Sequence, residues 1–380
     1  MPENLPEEIL SVKQQAKEFI DHIILPATGS LGPGESPDAA MAATVRDASR
    51  QAGFFYKTQP AEFGGQPAGA LELTMLRELF AAANSPLTRY IFGPGPGVLH
   101  QVQGPLAEDY LMPVLRGEKR GSFGFTEPDA APRPTWGVLS GETLTINGQK
   151  SYVTGGAEAD FVSALVNLED PQGNKLGTAM VVIDMDARGL EVERVFASLD
   201  GGEHVAVKFT NLVVPAHRII GQPGDGMPRA LASIGDVRLM VSAQATGMCL
   251  WVLDFIEQHL KAPHRSGLPL GDREGVRLRY ADMRIETYVA RSSLYRTARL
   301  VDAGDRAVNE VAATKVFTTE TAGRVVDMAV QLFGGQALVA GHPLERLYRE
   351  VRSLRFVEGA SDLLRLNIAK GRLELDVGRV

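Results

Sequence analysis

The 380-residue sequence predicts a mainly α-helical protein with a central β-domain. Apolar residues recur at three- and four-residue spacing in both the N-terminal and the C-terminal third, which is typical of amphipathic helices. The residues between them contain short β-branched or apolar runs separated by turn signals, which is typical of strands. We therefore predict an N-terminal helical domain over residues 1–119, a middle β-barrel or sandwich over 120–223, and a C-terminal helical bundle over 224–380.

The N-terminal domain is predicted from an apolar stripe and from the breakers that follow it. Ile9, Val12, Ala16 and Phe19 are three or four residues apart and would share one face of a helix. The run Gly93–Gly97 alternates glycine with proline and cannot continue a helix. Several helices joined by loops are therefore expected before the β-domain.

The middle domain contains a segment that alternates apolar and polar side chains. Residues 143–146 alternate and are followed by Asn147-Gly148, a dipeptide typical of two-residue hairpin turns. We therefore predict a hairpin turn there and a second turn at residues 170–174, which are Asp-Pro-Gln-Gly-Asn. Further strands are predicted at three short runs, 161–166, 179–183 and 204–209.

The C-terminal domain carries the strongest helix pattern in the sequence. Apolar and small side chains repeat along residues 312–333, and Gly334-Gly335 supplies a stop. A second helix is predicted through residues 283–301, ending near Gly304. Long helices joined by short loops are typical of an antiparallel bundle.

Composition excludes several classes of protein. The net charge of −7 argues against general nucleic-acid binding, and Cys249 as the only cysteine excludes disulfides within the chain and cysteine-based zinc sites. No histidine pair has H-x-x-x-H spacing, so we expect no metal site and predict each histidine at a surface or loop position. No run of about 18 apolar residues occurs and the first residues are acidic, so we expect no membrane insertion, no signal peptide and a cytoplasmic location.

Glu358 is the carboxylate whose local sequence suggests chemistry. It follows the apolar pair Phe356-Val357, and the helical pattern is predicted to stop at Gly359. Ser361 is a good N-cap for a second helix. A carboxylate at such a junction would be partly desolvated, which raises its pKa toward the range of a general base. The alternative is a partly exposed glutamate at a helix end without a catalytic role.

Seven segments follow one another in the order of the motifs of a known enzyme family. They are Glu-Phe-Gly-Gly at 62–65, Tyr-Leu-Met-Pro-Val-Leu-Arg-Gly-Glu at 110–118, Phe-Thr-Glu-Pro at 125–128, Asn-Gly-Gln-Lys-Ser-Tyr-Val-Thr at 147–154, the end of the β-domain at 209–221, Gln-Leu-Phe-Gly-Gly at 331–335, and Tyr-Arg-Glu-Val-Arg at 348–352 followed by Glu358-Gly359. Alone, residues 125–128 are either a ligand-lining turn or an ordinary entry turn into the β-domain. In this order and spacing, the segments make the sequence resemble the acyl-CoA dehydrogenase family over nearly its whole length.

The resemblance implies a fold and a reaction. The family fold is an N-terminal helical domain, a middle β-domain and a C-terminal four-helix bundle. Its members bind FAD and remove hydrogen from the α- and β-carbons of an acyl thioester such as an acyl-CoA. They pass the electrons to an electron-transfer flavoprotein and assemble as homodimers or homotetramers.

The resemblance also implies roles for residues. Glu358 would take the α-proton while its N–H binds the thioester carbonyl, and Thr154 would lie near flavin N5, which receives the β-hydride. Some members place the base just before a bundle-helix arginine that corresponds to Arg238, but Val237 at that place cannot take a proton. Arg238 and Gly359 would contact the substrate. The residues expected at the cofactor are Phe123, Phe125, Thr126, Tyr152, Thr154, Arg265, Gln331, Gly334, Gly335, Ala360 and Asp362. Among these, Gln331, Gly334 and Gly335 would meet the adenine half of a neighbouring subunit's FAD.

Four departures from the family pattern leave alternatives open. Pro132 replaces a serine that usually bonds the ligands, and Arg265 is displaced by two positions from the arginine that holds the FAD pyrophosphate. Ala360-Ser361-Asp362 stands where the family usually has Thr-x-Gln, and Gly235 stands where an aspartate usually precedes the bundle-helix arginine. The chain is then a self-sufficient enzyme, a subunit of a heteromer that shares FAD with a homologous partner, or a flavin-free subunit that scaffolds an active partner. Its substrate is either an acyl-CoA or an acyl group on a carrier protein. A flavin oxidase or monooxygenase on the same fold is a further alternative.

Overall fold

The computed structural model describes residues 4–32, 34–305 and 307–378, the side chain of Asp236 excepted. These residues form two compact units. The first comprises the described residues of Met1–Lys57, Pro67–Phe92 and Gly235–Val380, and the second comprises Thr58–Gln66 and Gly93–Ile234. The first unit therefore combines N-terminal and C-terminal helices, and the three predicted domain ranges remain a prediction.

Helices separated by short connections make up most of the chain. In chain order the α-helices are α1 (Glu7–Phe19), α2 (Leu25–Gly29), α3 (Ala39–Ala52), α4 (Ala70–Ala82), α5 (Met112–Arg116), α6 (Gly226–Lys261), α7 (Glu274–Asp302), α8 (Val308–Phe333), α9 (Pro343–Ser353) and α10 (Ser361–Leu373). Helices α7 and α8 confirm the two C-terminal helices predicted from periodicity. Gly334, at φ +88°, follows the last residue of α8 and supplies the predicted stop.

Two apolar clusters hold the first unit together. One is formed mainly by α6, α8 and α9 and includes Val252 and Val326, both without exposed surface. The other joins the N-terminal helices to α7, with Phe19, Phe54 and Phe80 in edge-to-face contacts at centroid distances of 5.4 to 6.3 Å. Burial of such side chains contributes about 1.5–3 kcal/mol each.

A buried ion pair links α4 to α7 within the first unit. Arg291 donates two hydrogen bonds of 2.8 Å to the Glu78 carboxylate, and the Tyr295 hydroxyl donates a third of 2.7 Å. Helix α6 also approaches α4 closely, because a Cβ on Gly247 would lie 2.3 Å from the Glu78 carbonyl oxygen. Only glycine permits that approach. The N-terminal helices are thus fixed to residues that follow 213 positions later.

Helix α6 is apolar enough for a membrane span but serves in the core. It is 36 residues long and, by length and composition alone, is the one helix of the described residues that passes the test for a membrane span. Of its most apolar window, 67% is buried inside the protein. Its buried side chains belong to the cluster formed with α8 and α9, which accounts for its composition.

The described part of the second unit contains an eight-stranded sheet. Its strands are β1 (Gly121–Gly124), β2 (Trp136–Ser140), β3 (Thr143–Thr154), β4 (Phe161–Glu169), β5 (Lys175–Asp184), β6 (Leu190–Ala197), β7 (Glu203–Pro215) and β8 (Ile219–Ile220). Their order is β6-β7-β3-β2-β4-β5-β8, and β1 pairs with β4 off this path. Strands β1 and β2 run parallel to β4, and the other pairs are antiparallel. Strands β4, β5 and β7 confirm the three predicted runs.

The two predicted turns of the β-domain have different outcomes. The turn at 170–174 is confirmed, since the Asp170 N–H donates to the Asn174 carbonyl at 3.0 Å. The hairpin turn at Asn147-Gly148 is wrong, because β3 continues through it with an irregular register against β7. Gly148 has φ +142°, and a Cβ there would lie 2.6 Å from Thr135. The glycine therefore serves a bulge in the strand, which needs the same backbone freedom as a turn.

Candidate active site

Glu358 lies in a tight turn between α9 and α10. Helix α9 ends at Ser353, earlier than predicted, and α10 begins at Ser361 with Ala360 as its N-cap. The prediction of Ser361 as the N-cap is therefore wrong by one position. Its N–H donates to the Arg355 carbonyl at 3.0 Å, which ties the start of α10 to the turn.

Two consecutive residues of this turn have left-handed backbone, Glu358 at φ +56° and Gly359 at φ +110°. A helix cannot continue through such a pair, so no helix can run on to Gly359, and α9 itself already ends at Ser353. A left-handed non-glycine residue costs about 1–3 kcal/mol and persists where the surrounding structure fixes it. Glycine is favoured at position 359 by its φ of +110°, and a Cβ there would also make a tight contact of 3.3 Å with Leu364 Cδ2.

Two cations from different helices hold the carbonyls of these two residues. Arg238 of α6 donates from Nε to the Glu358 carbonyl at 3.0 Å. Lys315 of α8 donates from Nζ to the Gly359 carbonyl at 2.9 Å. The turn is therefore fixed through its backbone, and the Glu358 side chain takes no part in these two bonds.

The electrostatics of the turn leave Glu358 suited to accept a proton. Burial raises the pKa of its carboxyl, and the charges of Arg238 and Lys315 oppose that shift without reversing it. Burial also lowers the pKa of Lys315 to about 8, with the Arg238 charge acting in the same direction. A carboxyl with a raised pKa is a stronger base than an ordinary glutamate.

The backbone N–H of Glu358 is available as a donor. Among residues 4–32, 34–305 and 307–378, the structure assigns it no acceptor, whereas the neighbouring Gly359 N–H donates to the Phe356 carbonyl at 3.1 Å. An unpaired N–H beside a carboxylate with a raised pKa places a donor and a base on one residue. Such a pair can bind a carbonyl oxygen and remove a proton next to it.

A second group of predicted residues lies together in the second unit. Phe123 and Phe125 stack at a centroid distance of 5.8 Å with 10° between their planes. The Ser151 N–H donates to the Thr126 carbonyl at 2.8 Å, so the segment after β1 lies beside β3. Lys150 of β3, 1% exposed, reinforces this contact by its 2.6 Å ion pair with Glu127 and its 3.3 Å bond to the Phe125 carbonyl.

Tyr152 and Thr154 extend this group along β3. They are two residues apart in a strand and both exposed, Tyr152 to 61%. Tyr152 has φ +55° and makes an edge contact with Phe196 at 5.4 Å. The Thr154 hydroxyl lies 3.1 Å from Nδ1 of His204 in β7, with which Thr154 pairs in the sheet. His204 lies at a partly exposed strand position, which fits the prediction of a surface position, and it borders this group.

A third group lies at the C-terminal end of α8. Gln331, Gly334 and Gly335 are exposed there, and the two glycines have no described atom within 4 Å of their missing Cβ positions. The space beside both glycines therefore leaves their backbone accessible. Phe333, which immediately precedes Gly334, stacks on His259 of α6 at 4.2 Å. The buried Nε2 of that histidine contradicts the prediction of a surface or loop position.

Other residues that the sequence singled out lie exposed and make few contacts with the described residues. Arg265 lies exposed in the loop after α6 and makes no hydrogen bond or ion pair with the described residues. Asp362 is exposed in the first turn of α10 and pairs with Arg365 at 3.4 Å. Pro132, the departure from the family pattern, is exposed in the connection between β1 and β2.

The structure thus joins Glu358, Gly359 and Arg238, which the sequence predicted, with Lys315, which it missed. Lys315 did leave a signal, since it follows Ala312 by three residues on the buried face of a predicted helix. A lysine on a buried face calls for a partner. Its actual partner is a carbonyl 44 residues away, which periodicity does not reveal.

Comparisons with known proteins show which family the chain resembles. Residues 224–373 match the sequence profile described as acyl-CoA dehydrogenase, C-terminal domain. The chain is 30% identical to the short-chain-specific acyl-CoA dehydrogenase of Clostridium acetobutylicum, over 69% of this chain and 70% of the other. It is 24% identical to subunit CarC of the caffeyl-CoA reductase-Etf complex of Acetobacterium woodii, over 86% and 88% of the two chains.

A solved structure shares the fold. The butyryl-CoA dehydrogenase of Megasphaera elsdenii superposes with a TM-score of 0.80 at 22% identity, covering 98% of this chain and 100% of the other. This likeness confirms the predicted fold class of helices, a central β-domain and a helical bundle.

Proposed function

Because the chain belongs to the acyl-CoA dehydrogenase family, whose members are FAD-dependent oxidoreductases acting on CH–CH groups, we propose that it desaturates an acyl thioester with Glu358 as the base. The observation that carries the proposal is the Glu358 turn. Its half-buried carboxyl has a raised pKa, and its backbone is held in a left-handed conformation. Strained backbone and a perturbed carboxyl together are typical of a catalytic position.

The residues of the β-sheet fit a flavin ring. The Tyr152 ring and the Thr126 and Thr154 hydroxyls are exposed close together, beside the stacked Phe123 and Phe125. An aromatic surface next to hydroxyl donors suits a planar heterocycle with a polar edge. Gly334 and Gly335 leave backbone accessible for the adenine half of a neighbouring subunit's FAD. When bound, FAD supplies the acceptor for two electrons and the β-hydrogen.

The protein's own groups carry out the proton transfer. The Glu358 carboxylate takes the α-proton, and the electron pair of that C–H bond becomes the second bond between the α- and β-carbons. The β-hydrogen leaves with its electron pair, so the substrate loses two electrons and two hydrogens. The Glu358 N–H would stabilise the negative charge that develops on the thioester carbonyl oxygen.

The function is tested by the flavin spectrum of the purified protein. We expect FAD to copurify and its absorbance to fall when an acyl-CoA of matching chain length is added without oxygen. The panel should include acyl-CoAs of several lengths and acyl groups on a carrier protein. A flavin-replete protein that none of these thioesters reduces would contradict the proposal. A purified chain with little flavin would instead favour a heteromer. Weak FAD binding would then be attributed to Pro132, which lacks a hydroxyl, and to Arg265, which is exposed and displaced from the position of the pyrophosphate arginine.

Further partners belong to the same proposal. We expect electrons to pass to an electron-transfer flavoprotein, which the name of the similar CarC complex supports. We also expect a homodimer or homotetramer in the cytoplasm. An oxidase or monooxygenase can be distinguished by how fast the reduced enzyme is reoxidised. We compare its rate of reoxidation by oxygen with its rate of reoxidation by an electron-transfer flavoprotein. Faster reaction with oxygen would favour those alternatives.

A further inference from the structure

Lys315 is a lysine of α8 without any exposed surface. Its ammonium donates to the Gly359 carbonyl at 2.9 Å. The hydroxyls of Thr318 and Thr319 both donate to backbone carbonyls of α8, including that of Lys315 itself. Among the described residues, the acceptor of the Lys315 ammonium is the Gly359 carbonyl.

Packing alone does not account for a lysine at this place. Burying an ammonium is unfavourable unless hydrogen bonds and opposite charge compensate for it. The buried neighbours Ala312 and Val316 on the same helix are apolar, so the helix does not need a charge to pack here. A buried charge that contacts the backbone beside a candidate base suggests a role at that base.

We propose that Lys315 is a positioning residue that fixes the Glu358–Gly359 turn through the Gly359 carbonyl and stabilises the Glu358 carboxylate by its charge. Arg238 makes the matching contact on the Glu358 carbonyl. Two consecutive carbonyls of a left-handed turn are thus held by two cations from different helices. The catalytic part of this role rests on the proposed function of Glu358, whereas the anchoring of the turn does not.

The surrounding charges give the sign of the effect. Arg238, Glu358 and Glu320 act on Lys315, and Glu320 is itself paired with Arg365 of α10 at 2.8 Å. At Glu358, burial raises the carboxyl pKa, and Arg238 and then Lys315 lower it. Removing the Lys315 charge therefore moves the Glu358 pKa further up. The acid limb of the rate profile should move to higher pH with it.

Two variants and one control separate the contact from the charge. Lys315→Met removes both the donor and the charge, and Lys315→Gln keeps a neutral donor. Arg324→Gln is the matched control, because it removes one positive charge from the same helix. Arg324 pairs with Glu286 at 2.7 Å on a half-exposed surface and does not contact the turn.

The first measurement is amide hydrogen exchange of the turn in the purified protein without substrate. We expect peptides covering residues 354–361 to exchange faster in Lys315→Met, less so in Lys315→Gln, and as in the wild type in Arg324→Gln. This readout does not depend on turnover. Unchanged exchange in both Lys315 variants would overturn the anchoring role.

The second measurement is the pH dependence of flavin reduction by an acyl-CoA. We expect kcat to fall by about 10–100-fold in Lys315→Met with binding of the substrate nearly unchanged, because the base is displaced rather than lost. Lys315→Gln should recover part of kcat, and both variants should shift the acid limb to higher pH. An unmoved acid limb, or equal loss of activity at every pH, would overturn the charge role. If Lys315→Met does not fold, Lys315→Gln supplies both measurements. If no acyl thioester reduces the flavin of the wild type, the proposed function is refuted and the anchoring role is judged by hydrogen exchange alone.

Discussion

Replacing Glu358 with glutamine isolates the chemistry of its carboxylate. The side chain keeps its size, and Arg238 and Lys315 continue to hold the turn because both donate to backbone carbonyls. The expected loss is therefore confined to proton abstraction. General-base catalysis contributes about 10²–10⁴-fold, which corresponds to about 2.7–5.4 kcal/mol of activation free energy. We expect the rate of flavin reduction to fall by that factor while FAD content and acyl-CoA binding stay unchanged.

The same substitution has a second, opposite effect on stability. Because burial raises the pKa of Glu358, the folded protein holds the proton more tightly than the unfolded chain does. The free energy of unfolding therefore falls as pH rises from the ordinary carboxyl value of 4.5 through the raised pKa. The amide of Glu358→Gln avoids this loss, so we expect its Tm at neutral pH to equal or exceed that of the wild type.

The assay is stopped-flow flavin reduction without oxygen, with Tm and FAD content measured on the same preparations. Glu345→Gln is the matched control, since Glu345 of α9 pairs with Arg349 at 2.7 Å outside the turn. We expect the control to reduce its flavin at the wild-type rate. Near-normal reduction in Glu358→Gln would refute the base assignment, and a lower Tm with lost FAD would show a structural role instead.

Three further predictions concern stability. Gly359→Ala places a side chain at φ +110° and 3.3 Å from Leu364, so we expect urea unfolding to show a loss of about 1–3 kcal/mol; an unchanged midpoint would mean that the turn relaxes freely. Glu78→Ala leaves the Arg291 guanidinium, which is 13% exposed, without its carboxylate. We expect the free energy of unfolding to fall by about 3–5 kcal/mol. A fall of less than about 1 kcal/mol would mean that water replaces the lost carboxylate. The pKa of Lys315 is lowered to about 8 from an ordinary 10.5, so between these pH values the unfolded chain binds more protons than the folded protein. The stability of the wild type relative to Lys315→Met should therefore increase as pH rises from about 8 to 10.5. Parallel pH profiles of Tm for the two proteins would contradict this sign.

The order of helices and strands could be predicted because it depends on local periodicity. The stripe of α8 repeats over several turns and ends at a glycine with φ +88°, so a short-range pattern carries enough information. Small and apolar neighbours mark Glu358 as a junction carboxylate, but the family resemblance is needed to assign it as the base. The helix was expected to run to Gly359, however, because the left-handed backbone of Glu358 leaves no trace in residue type.

The contacts that complete the site depend on residues far apart in the chain. Lys315 and the Gly359 carbonyl are 44 residues apart, and Thr154 and His204 are 50 residues apart. Sheet register and helix packing set these distances, and neither follows from local pattern. The error at Gly148 has another origin, because a bulge and a hairpin turn both select a glycine with positive φ.

The discontinuous first unit has a consequence for synthesis on the ribosome. Its N-terminal part is complete at Phe92, but the next part begins only at Gly235, with the strands of the second unit made in between. At about 5–20 residues per second, this interval lasts about 7–30 s. Through that time Glu78 lacks Arg291, and the phenylalanines around Phe80 lack Leu294 of α7. The emerging N-terminal helices therefore expose apolar surface that residues from Leu239 onward cover, so this stage favours chaperone binding.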